Sequence, residues 1–438
     1  MMLTAMPQYD TYKDSGVEWM GDIPDHWHVI RLKNAALINP VSNISKLHLD
    51  DEICFLPMEK VGTDGIVEYD LRRSLRSVKQ GFTSFQVNDV LIAKITPCFE
   101  NGKGAYLKNM PTKFGYGSTE FHVLRAYESF EPAFLYYLSK SHVFMDLGEK
   151  MMTGSAGQKR VPTDFIAEFR FASPSFVEQK VIASFLDKKT TQIDEAITIK
   201  ARQIVLLNER KQILIQQAVT QGLDPTVPMT DSGVTWIGKI PAHWEVRRSK
   251  FVFCQRKERA RAGDVQLSAT QAYGVIPQEQ YEGMIGRKVV KISFHLEKRK
   301  HVEIDDFVIS MRSFQGGLER AWASGCIRSS YVVLRPVNKE EIDAGFFSYM
   351  LKLPTYINAL QMTASFIRDG QDLNFDNFAQ VDLFIPPIEE QQAIFSAIQS
   401  KVDGINKSIV LLMEQITKYQ EYKTTLINSA VTGKIKVV

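Results

Sequence analysis

The chain has 438 residues, of which 44% are hydrophobic and 24% are charged, and its formal net charge is +3. At roughly 100 to 200 residues per domain, the length predicts about three domains, and the apolar content excludes wholesale disorder. No apolar stretch is long enough to span a membrane and no basic start precedes an apolar run, so we expect a cytoplasmic protein.

A leading segment at residues 14–33 recurs without gaps at residues 231–250, with 13 of 20 positions identical. A second gapless match relates residues 164–223 to residues 376–435. Between these matches lie two segments of about 130 residues that resemble each other only faintly. Self-similarity at a fixed offset indicates a tandem duplication, here with preserved ends and divergent middles.

The divergent middles have the pattern of a mixed α/β fold. Short runs rich in β-branched residues, flanked by Gly, Asn and Asp, predict strands at residues 87–95, 119–126, 306–311 and 329–336. Residues 134–150 in the first copy and 346–362 in the second are predicted to be helices.

Each copy ends in a predicted long helix of about 45 residues, which would be on the order of 65 Å long. Apolar residues recur along both helices at heptad spacing, which is typical of a coiled-coil seam. An alternative is that each stripe packs on its own globular half, but a seam this narrow favours an intramolecular coiled coil. The seam residues are Ile182, Leu186, Ile193, Ile197, Ile204, Leu207 and Leu214 in the first copy and Ile394, Ile398, Ile405, Ile409, Ile416, Tyr419 and Leu426 in the second.

These patterns give a domain organisation. A first domain is predicted at 1–173, a long helix at 174–220 and a Pro- and Gly-containing linker at 221–230. A second domain at 231–385 and a second long helix at 386–438 follow.

Signatures of catalysis and of metal binding are missing from the sequence. The stretch Gly102-Lys103-Gly104 lacks the upstream glycine and the hydroxyl residue of a phosphate-binding loop, and no HExxH occurs. Glu178 followed by Lys180 could suggest a nuclease, but the second copy has Gln392 in place of the lysine. A glutamate in the first turn of a helix is better explained as a cap. The four cysteines are far apart with no CxxC, which favours core thiols.

The small net charge hides two basic surpluses. Residues 72–113 carry eight basic and two acidic residues, and residues 247–335 carry seventeen basic and nine acidic residues. For any one lysine, a solvated loop position is the ordinary explanation. Two surpluses at matching places of a duplicated chain instead favour contact with a phosphate backbone, and interleaved amides and arginines could pair with base edges.

With these motifs in this order, the whole chain resembles the specificity subunit of a type I restriction-modification system. The residues that carry the resemblance are Asp14 to Trp19, Ile23 to Trp27 and their second copy, Pro174 with Glu178-Gln179, and Pro386-Pro387 with Glu390-Gln391.

The resemblance implies two target-recognition domains joined by two long helices that pack antiparallel as a coiled coil. It implies a bipartite, asymmetric target in double-stranded DNA, with a spacer set by helix length. It also implies a subunit that is not itself catalytic and holds no cofactor. Two methyltransferase subunits would methylate adenine at N6 with S-adenosylmethionine, and restriction-translocase subunits would use ATP with Mg²⁺.

Residue roles follow as hypotheses from charge, polarity and expected loop placement. About half of the candidates are expected to contact phosphates rather than bases. The tryptophans of the leading segments (Trp19, Trp27, Trp236 and Trp244) are expected to lock these segments onto the junction of domain and helix. The DNA-contact candidates are Lys94, Asn101, Lys103 and Tyr116 in the first domain and Arg312, Gln315, Arg328, Arg368 and Gln371 in the second.

Two functions of other classes remain as alternatives at this point. One is a coiled-coil scaffold with two globular heads and no role on DNA, which a lack of salt-dependent DNA binding would favour. The other is a stand-alone restriction or modification enzyme, which no motif supports. The target sequence cannot be predicted from one divergent sequence.

Overall fold

A computed structural model describes residues 6–155, 157–289, 296–310, 313–363 and 373–437. The chain forms two compact units. Unit 1 comprises Met1–Arg202 and Leu412–Val438, and unit 2 comprises Gln203–Leu411. The units do not coincide with the predicted domains 1–173 and 231–385, because each unit also takes a part of both long helices.

Unit 1 is built on two four-stranded sheets, with strand orders β6-β5-β10-β7 and β4-β11-β8-β9, and on the strand pairs β1-β2 and β3-β12. All its strand pairs are antiparallel except β5 with β10. The strands are β1 (Tyr12–Asp14), β2 (Asp22–Pro24), β3 (His28–Arg31), β4 (Ala36–Ile38), β5 (Glu52–Leu56), β6 (Arg72–Ser74), β7 (Thr83–Gln86), β8 (Val90–Ala93), β9 (Gly104–Tyr106), β10 (Phe114–Gly117), β11 (Phe121–Ala126) and β12 (Arg170–Ser173). The helices are α1 (Leu75–Val78), α2 (Pro132–Ser139), α3 (His142–Lys150), α4 (Thr163–Glu168) and α5 (Phe176–Gln221), whose last part belongs to unit 2.

Unit 2 has one four-stranded sheet, with strand order β16-β23-β20-β21, and four strand pairs, all antiparallel. The strands are β13 (Met229–Asp231), β14 (Lys239–Pro241), β15 (Glu245–Arg248), β16 (Phe253–Arg256), β17 (Leu267–Thr270), β18 (Gly274–Pro277), β19 (Lys300–Val302), β20 (Phe307–Ile309), β21 (Glu319–Arg320), β22 (Gly325–Ile327), β23 (Val332–Pro336) and β24 (Asp382–Ile385). The helices are α6 (Ser249–Val252), α7 (Gln278–Ile285), α8 (Ser313–Gly316), α9 (Ala344–Met350), α10 (Pro354–Met362), α11 (Phe375–Ala379) and α12 (Ile388–Val431), whose last part belongs to unit 1.

The four predicted strands are present as β8, β11, β20 and β23, and they form the centres of their sheets. All four residues of β8 and all three of β20 are buried, which explains why these runs are continuously apolar rather than alternating. The mixed α/β class is therefore confirmed.

The helices predicted at 134–150 and 346–362 are each broken into two, so the prediction of single helices is wrong. In unit 1 the Oγ of Ser141 accepts a hydrogen bond from the amide of Phe144, and this cap starts α3. In unit 2, Pro354 stands at the start of α10, where its missing N–H costs nothing. Lys140 lies in the break between α2 and α3, and Lys352 lies at the equivalent place in the break between α9 and α10.

The two predicted long helices are present as α5 and α12. All of the predicted seam residues are buried or half-buried. The helices run antiparallel, since bonded positions rise along α5 as they fall along α12. In unit 1 the Nζ of Lys200 donates to Gln415 at 2.7 Å and that of Lys423 donates to Asp194. In unit 2 the Nζ of Lys211 donates to Asn406 at 3.2 Å. The first part of each stripe also enters the globular core of its own half, so the alternative packing holds there, whereas Leu426 at the end of the second stripe enters the core of unit 1.

In both units a glutamate at the start of a long helix pairs with a histidine of the leading segment. In unit 1 the carboxylate of Glu178 accepts from the hydroxyl of Tyr9 at 2.7 Å and pairs with His26 at 3.1 Å. In unit 2 the carboxylate of Glu390 accepts from the indole of Trp244 at 3.0 Å and pairs with His243 at 2.8 Å. The glutamates therefore hold the leading segments, beyond any capping role.

The tryptophans behave as structural residues, as expected. Trp27 is fully buried in the core of unit 1, and Trp19 stacks on Phe169 at 5.5 Å. Trp244 stacks on Phe384 at 5.5 Å in unit 2. Among the residues that the structure describes, no helix is long and apolar enough to cross a membrane.

Candidate nucleic-acid interface

Both units contain an equivalent hairpin loop. It belongs to the sheet β4-β11-β8-β9 in unit 1 and to the sheet β16-β23-β20-β21 in unit 2, and we call these the central sheets. In unit 1 it connects β8 to β9, and in unit 2 it connects β20 to β21. The side chain of Asn101 is exposed in the first loop, and that of Gln315 is exposed in the second, within the short helix α8. Two of the sequence candidates are thus brought to equivalent positions, each with an amide-bearing side chain at the surface.

The loop of unit 1, residues 94–103, is held by its own backbone. The amide of Asn101 donates to Pro97 O at 3.1 Å and that of Lys103 to Cys98 O at 2.9 Å. Gly102 adopts a φ of 67°, which favours glycine. This ordering presents Asn101 on a defined turn rather than on a loose loop.

Lys94 and Lys103 lie on the same loop but are less available than Asn101. Lys94 is half-buried directly after β8. Its backbone amide donates to Glu120 O, and its carbonyl oxygen accepts from Val161 N. The Nζ of Lys103 donates to Met58 O at 3.0 Å and so ties this loop to residues 57–66. Their role on DNA stays a prediction.

Tyr116 requires a correction. It lies in the middle of β10 rather than in a loop, and only 5% of its surface is exposed. Its ring packs in a small core with Phe55 and Leu75, and burial raises the pKa of its hydroxyl. A side chain in this position cannot reach a base without unfolding the sheet.

In unit 2, Arg328 is exposed in the turn that follows β22, and its role stays a prediction. Arg312, Arg368 and Gln371 lie outside the described residues.

Each unit contains an arginine that pairs with a buried aspartate, and the arginine of unit 2 belongs to the basic surplus at residues 247–335. In unit 1, Arg125 binds both carboxylate oxygens of the buried Asp89, at 2.9 and 2.8 Å. In unit 2, Arg256 binds the buried Asp306 in the same way, at 2.7 and 3.1 Å, although it comes from a different strand. Burial raises the pKa of Asp306, and the arginine opposes this shift. The charge count of residues 247–335 therefore overstates the basic surface of unit 2.

An exposed aromatic residue near the second loop was not among the sequence candidates. Trp322 is half-exposed, and the guanidinium of Arg320 lies 4.3 Å from the centre of its ring. Asp305 holds that guanidinium at 2.7 Å. The signal that could have found this pair is an aromatic residue two positions after an arginine beside a polar loop, which the stretch 319–322 carries.

Unit 1 also contains an open cleft of about 990 Å³. Its walls come from residues 63–66, from Asn101 and Gly102, from the end of α2 and from the two long helices. Asp187 and Asp194 make the helix wall acidic, so this cleft is a poor seat for a phosphate backbone. Within the described ranges, no group of three or more His, Cys, Asp or Glu side chains is arranged to hold a metal ion.

Comparison with known proteins agrees with this architecture. Residues 70–204 match the family model described as "Type I restriction modification DNA specificity domain". The chain is 40% identical over 166 residues to the EcoAI specificity subunit and 36% identical over 197 residues to the EcoEI specificity subunit, both type I restriction enzyme subunits of Escherichia coli. These matches span only 27% and 32% of the length of those relatives.

A full-length relative is more distant. The MjaX specificity subunit of Methanocaldococcus jannaschii is 22% identical over 434 residues, which are 95% of this chain and 96% of that one.

Two solved structures share the fold. A chain from a study of assembly and conformational transition of the type I restriction-modification system superposes with a TM-score of 0.71, covering 93% of this chain and 98% of that one at 15% identity. The HsdS subunit from Thermoanaerobacter tengcongensis gives 0.56, with 94% and 98% covered, also at 15% identity. The chain is therefore similar to specificity subunits of type I restriction-modification systems, through the specificity domain at residues 70–204 and through its fold.

Proposed function

We propose that the chain reads double-stranded DNA at a bipartite, asymmetric target, with unit 1 contacting one half-site and unit 2 the other. The observation that carries this proposal is the equivalence of the two hairpin loops, which present Asn101 and Gln315 from segments of unrelated sequence. An amide side chain can pair bidentately with adenine in the major groove. Two different loops on a duplicated frame would read two different half-sites.

The long helices offer surfaces for partner subunits. In unit 2, five large apolar side chains on these helices are more than half exposed: Val205, Leu206, Ile213, Val410 and Leu411. In unit 1, Ile199 and Met413 are exposed to a similar extent. An exposed apolar patch, as opposed to a single exposed side chain, is typical of an interaction site. We assign them to the docking of two adenine-N6 methyltransferase subunits, with restriction-translocase subunits joining the same assembly.

The chemistry of the assembly belongs to the partners in this proposal. S-adenosylmethionine would bind the methyltransferase subunits, and ATP with Mg²⁺ would bind the restriction-translocase subunits. The role of this chain is to select the DNA site and to hold the partners there, without itself being catalytic. We place this assembly in the cytoplasm.

DNA binding by the reconstituted complex of this chain with its methyltransferase partner tests the proposal. We expect nanomolar or tighter affinity for a target duplex, falling steeply between about 50 and 200 mM salt. Asn101→Ala should relax selection at one half-site, and Gln315→Ala should relax it at the other, by about 1 to 3 kcal/mol each. A complex without salt-dependent DNA affinity would contradict a reading role.

A further inference from the structure

One lysine occupies the same corner of both units. Lys140 follows the last residue of α2, and Lys352 follows α9 by two residues. The two positions are related by the same offset that aligns residues 164–223 with 376–435, although the surrounding sequence diverges. Each side chain contacts two loops of its own unit, one of which carries the DNA-contact candidate Asn101 or Gln315.

In unit 1 the ammonium group of Lys140 bridges two loops. Its Nζ donates to Thr63 O at 3.0 Å, in the tight turn that follows β5, and to Gly102 O, next to the exposed Asn101. The neighbouring Tyr136 reinforces the first contact, because its hydroxyl donates to Asp64 O at 3.3 Å and its ring lies 5.3 Å from the lysine Nζ.

The amine is well suited to this bridging role. Burial, together with the positive charge of Lys423, lowers the pKa of Lys140 to about 7, while Asp64 opposes the shift. A neutral amine still has two N–H donors for the two carbonyl oxygens. The contact with both loops is therefore available on either side of neutral pH.

In unit 2 the ammonium group of Lys352 makes the corresponding bridge with different partners. Its Nζ donates to Gln271 O at 3.0 Å, in the turn that follows β17, and to the carboxylate of Glu319 at 2.7 Å. Glu319 is buried at the end of the loop that carries Gln315. The backbone of the same loop also contacts the break between α9 and α10, since Leu318 N donates to Leu351 O at 3.3 Å.

We propose that Lys140 and Lys352 are positioning residues for DNA specificity, each fixing the loop that carries Asn101 or Gln315 against a second loop of its own unit. The proposal rests on the proposed function, since it assumes that these loops face DNA. A side chain that makes a bidentate base contact must be held within a fraction of an ångström, so its supporting contacts control discrimination without touching the base. A lysine at the same place in each unit would support loops of unrelated sequence. The divergent middles could then vary in sequence while the surrounding fold is kept.

The test uses the full chain in complex with its methyltransferase partner and a library of randomised duplex DNA, with adenine methylation as the readout. The wild-type complex defines both half-sites. We expect Lys140→Met to reduce discrimination at one half-site by about tenfold and to leave the other unchanged, and Lys352→Met to do the reverse. Lys108→Met is the matched control. Lys108 lines the same cleft, and its Nζ donates to the carboxylate of Asp187 at 3.5 Å without joining two loops.

Each outcome has one meaning. If the wild type selects both half-sites but Lys140→Met and Lys352→Met change neither, or both relax the same one, the positioning role is wrong while the proposed function stands. If Lys140→Met lowers affinity equally for all sequences and reduces the salt dependence, the lysine contacts phosphate and the positioning role is again wrong. If the wild type selects no bipartite site, the proposed function itself fails.

A milder variant guards against misfolding of the lysine variants. Tyr136→Phe removes only the hydroxyl that donates to Asp64 O. We expect a smaller loss of discrimination at the same half-site as Lys140→Met. Unchanged discrimination in a folded Tyr136→Phe complex, with Lys140→Met unfolded, would count against the proposal.

Discussion

Lys423 of α12 donates to both carboxylate oxygens of Asp194 on α5, at 2.7 and 2.6 Å. The lysine stands between the seam residues Tyr419 and Leu426, and its side chain is mostly buried. The pair joins the two antiparallel segments in the observed register. A shift by one heptad in one direction would place the lysine opposite Ala201 and so remove the pair, whereas a shift in the other direction would place it opposite Asp187. Polar residues within an apolar seam are known to specify register at some cost in stability.

Breaking this pair should reveal a direct coupling. We expect Asp194→Ala and Lys423→Met to be non-additive by about 0.5 to 1.5 kcal/mol in the free energy of unfolding, measured with urea on the two single variants and the double variant. Lys418→Met, on an exposed position of the same helix, should change stability by less than about 0.5 kcal/mol. Strict additivity of Asp194→Ala and Lys423→Met would show that the pair contributes nothing.

Lys140 should make stability depend on pH. Its pKa is lowered to about 7 in the folded chain, whereas a lysine in the unfolded chain titrates near pH 10.4. Between these values the unfolded chain binds a proton that the folded chain lacks, so the free energy of unfolding should rise with pH, by at most about 1.4 kcal/mol per pH unit.

This rise in the free energy of unfolding should be measurable between about pH 7 and 9. At higher pH, buried tyrosines of raised pKa, such as Tyr137, lower the free energy of unfolding as the pH increases. Urea unfolding of the wild type and of Lys140→Met at several pH values checks this. The variant should have the flatter profile, and equal slopes would refute the buried-lysine contribution.

Two glycines should respond to alanine with opposite signs. Gly404 is exposed inside α12, with open space where the methyl group of an alanine would lie, so Gly404→Ala should stabilise the helix by about 0.5 to 1 kcal/mol. In α9, a Cβ on Gly345 would lie 2.6 Å from the ring of Phe395, so Gly345→Ala should destabilise unit 2 by about 1 to 3 kcal/mol. Thermal unfolding of both variants provides the check, and a loss of stability in Gly404→Ala would contradict the exposed helical position.

Gln391 should be among the residues of unit 2 most sensitive to substitution. It is fully buried, its Nε2 donates to Glu341 O and Pro386 O at 2.9 and 2.8 Å, and its Oε1 accepts from Asp343 N at 2.8 Å. Gln391→Ala would leave these backbone groups unpaired, at a cost of about 2 to 4 kcal/mol in the free energy of unfolding.

The neighbouring Gln392 is exposed and provides the matched control, since Gln392→Ala should be nearly neutral. Gln179 makes the corresponding bonds to Pro174 O and Glu131 N in unit 1, so Gln179→Ala should weaken that unit. If the Gln391 and Gln392 variants were equally stable in urea, the fastening role of this glutamine would be wrong.

The repeated and periodic parts of the sequence were the predictable parts. Heptad spacing identified the seam from Ile182 to Leu214, and apolar runs identified β8 and β20, because burial of a whole face constrains residue type at every position. The break at Ser141 was missed, since a single cap within an apolar pattern does not alter the periodicity. Tyr116 was misplaced because a strand rich in Gly and aromatic residues resembles a loop.

The candidate site was only partly predictable for a physical reason. Asn101 and Gln315 could be found because exposed amides in polar loops stand out against the apolar strands. Lys140 and Lys352 could not, since their partners are mainly carbonyl oxygens far away in sequence, which carry no residue signature. The offset that relates them was visible, but only the fold shows that both reach the reading loops.

Genome-wide mapping of N6-methyladenine in cells that express this chain with its methyltransferase partner tests the central claim most directly. We expect methylation at one bipartite motif with two unlike half-sites and a spacer of unspecified bases. We also expect Gln315→Ala to relax one half-site while the other is kept. Methylation at a continuous palindrome, or no methylation that depends on this chain, would contradict the assignment of one half-site to each unit.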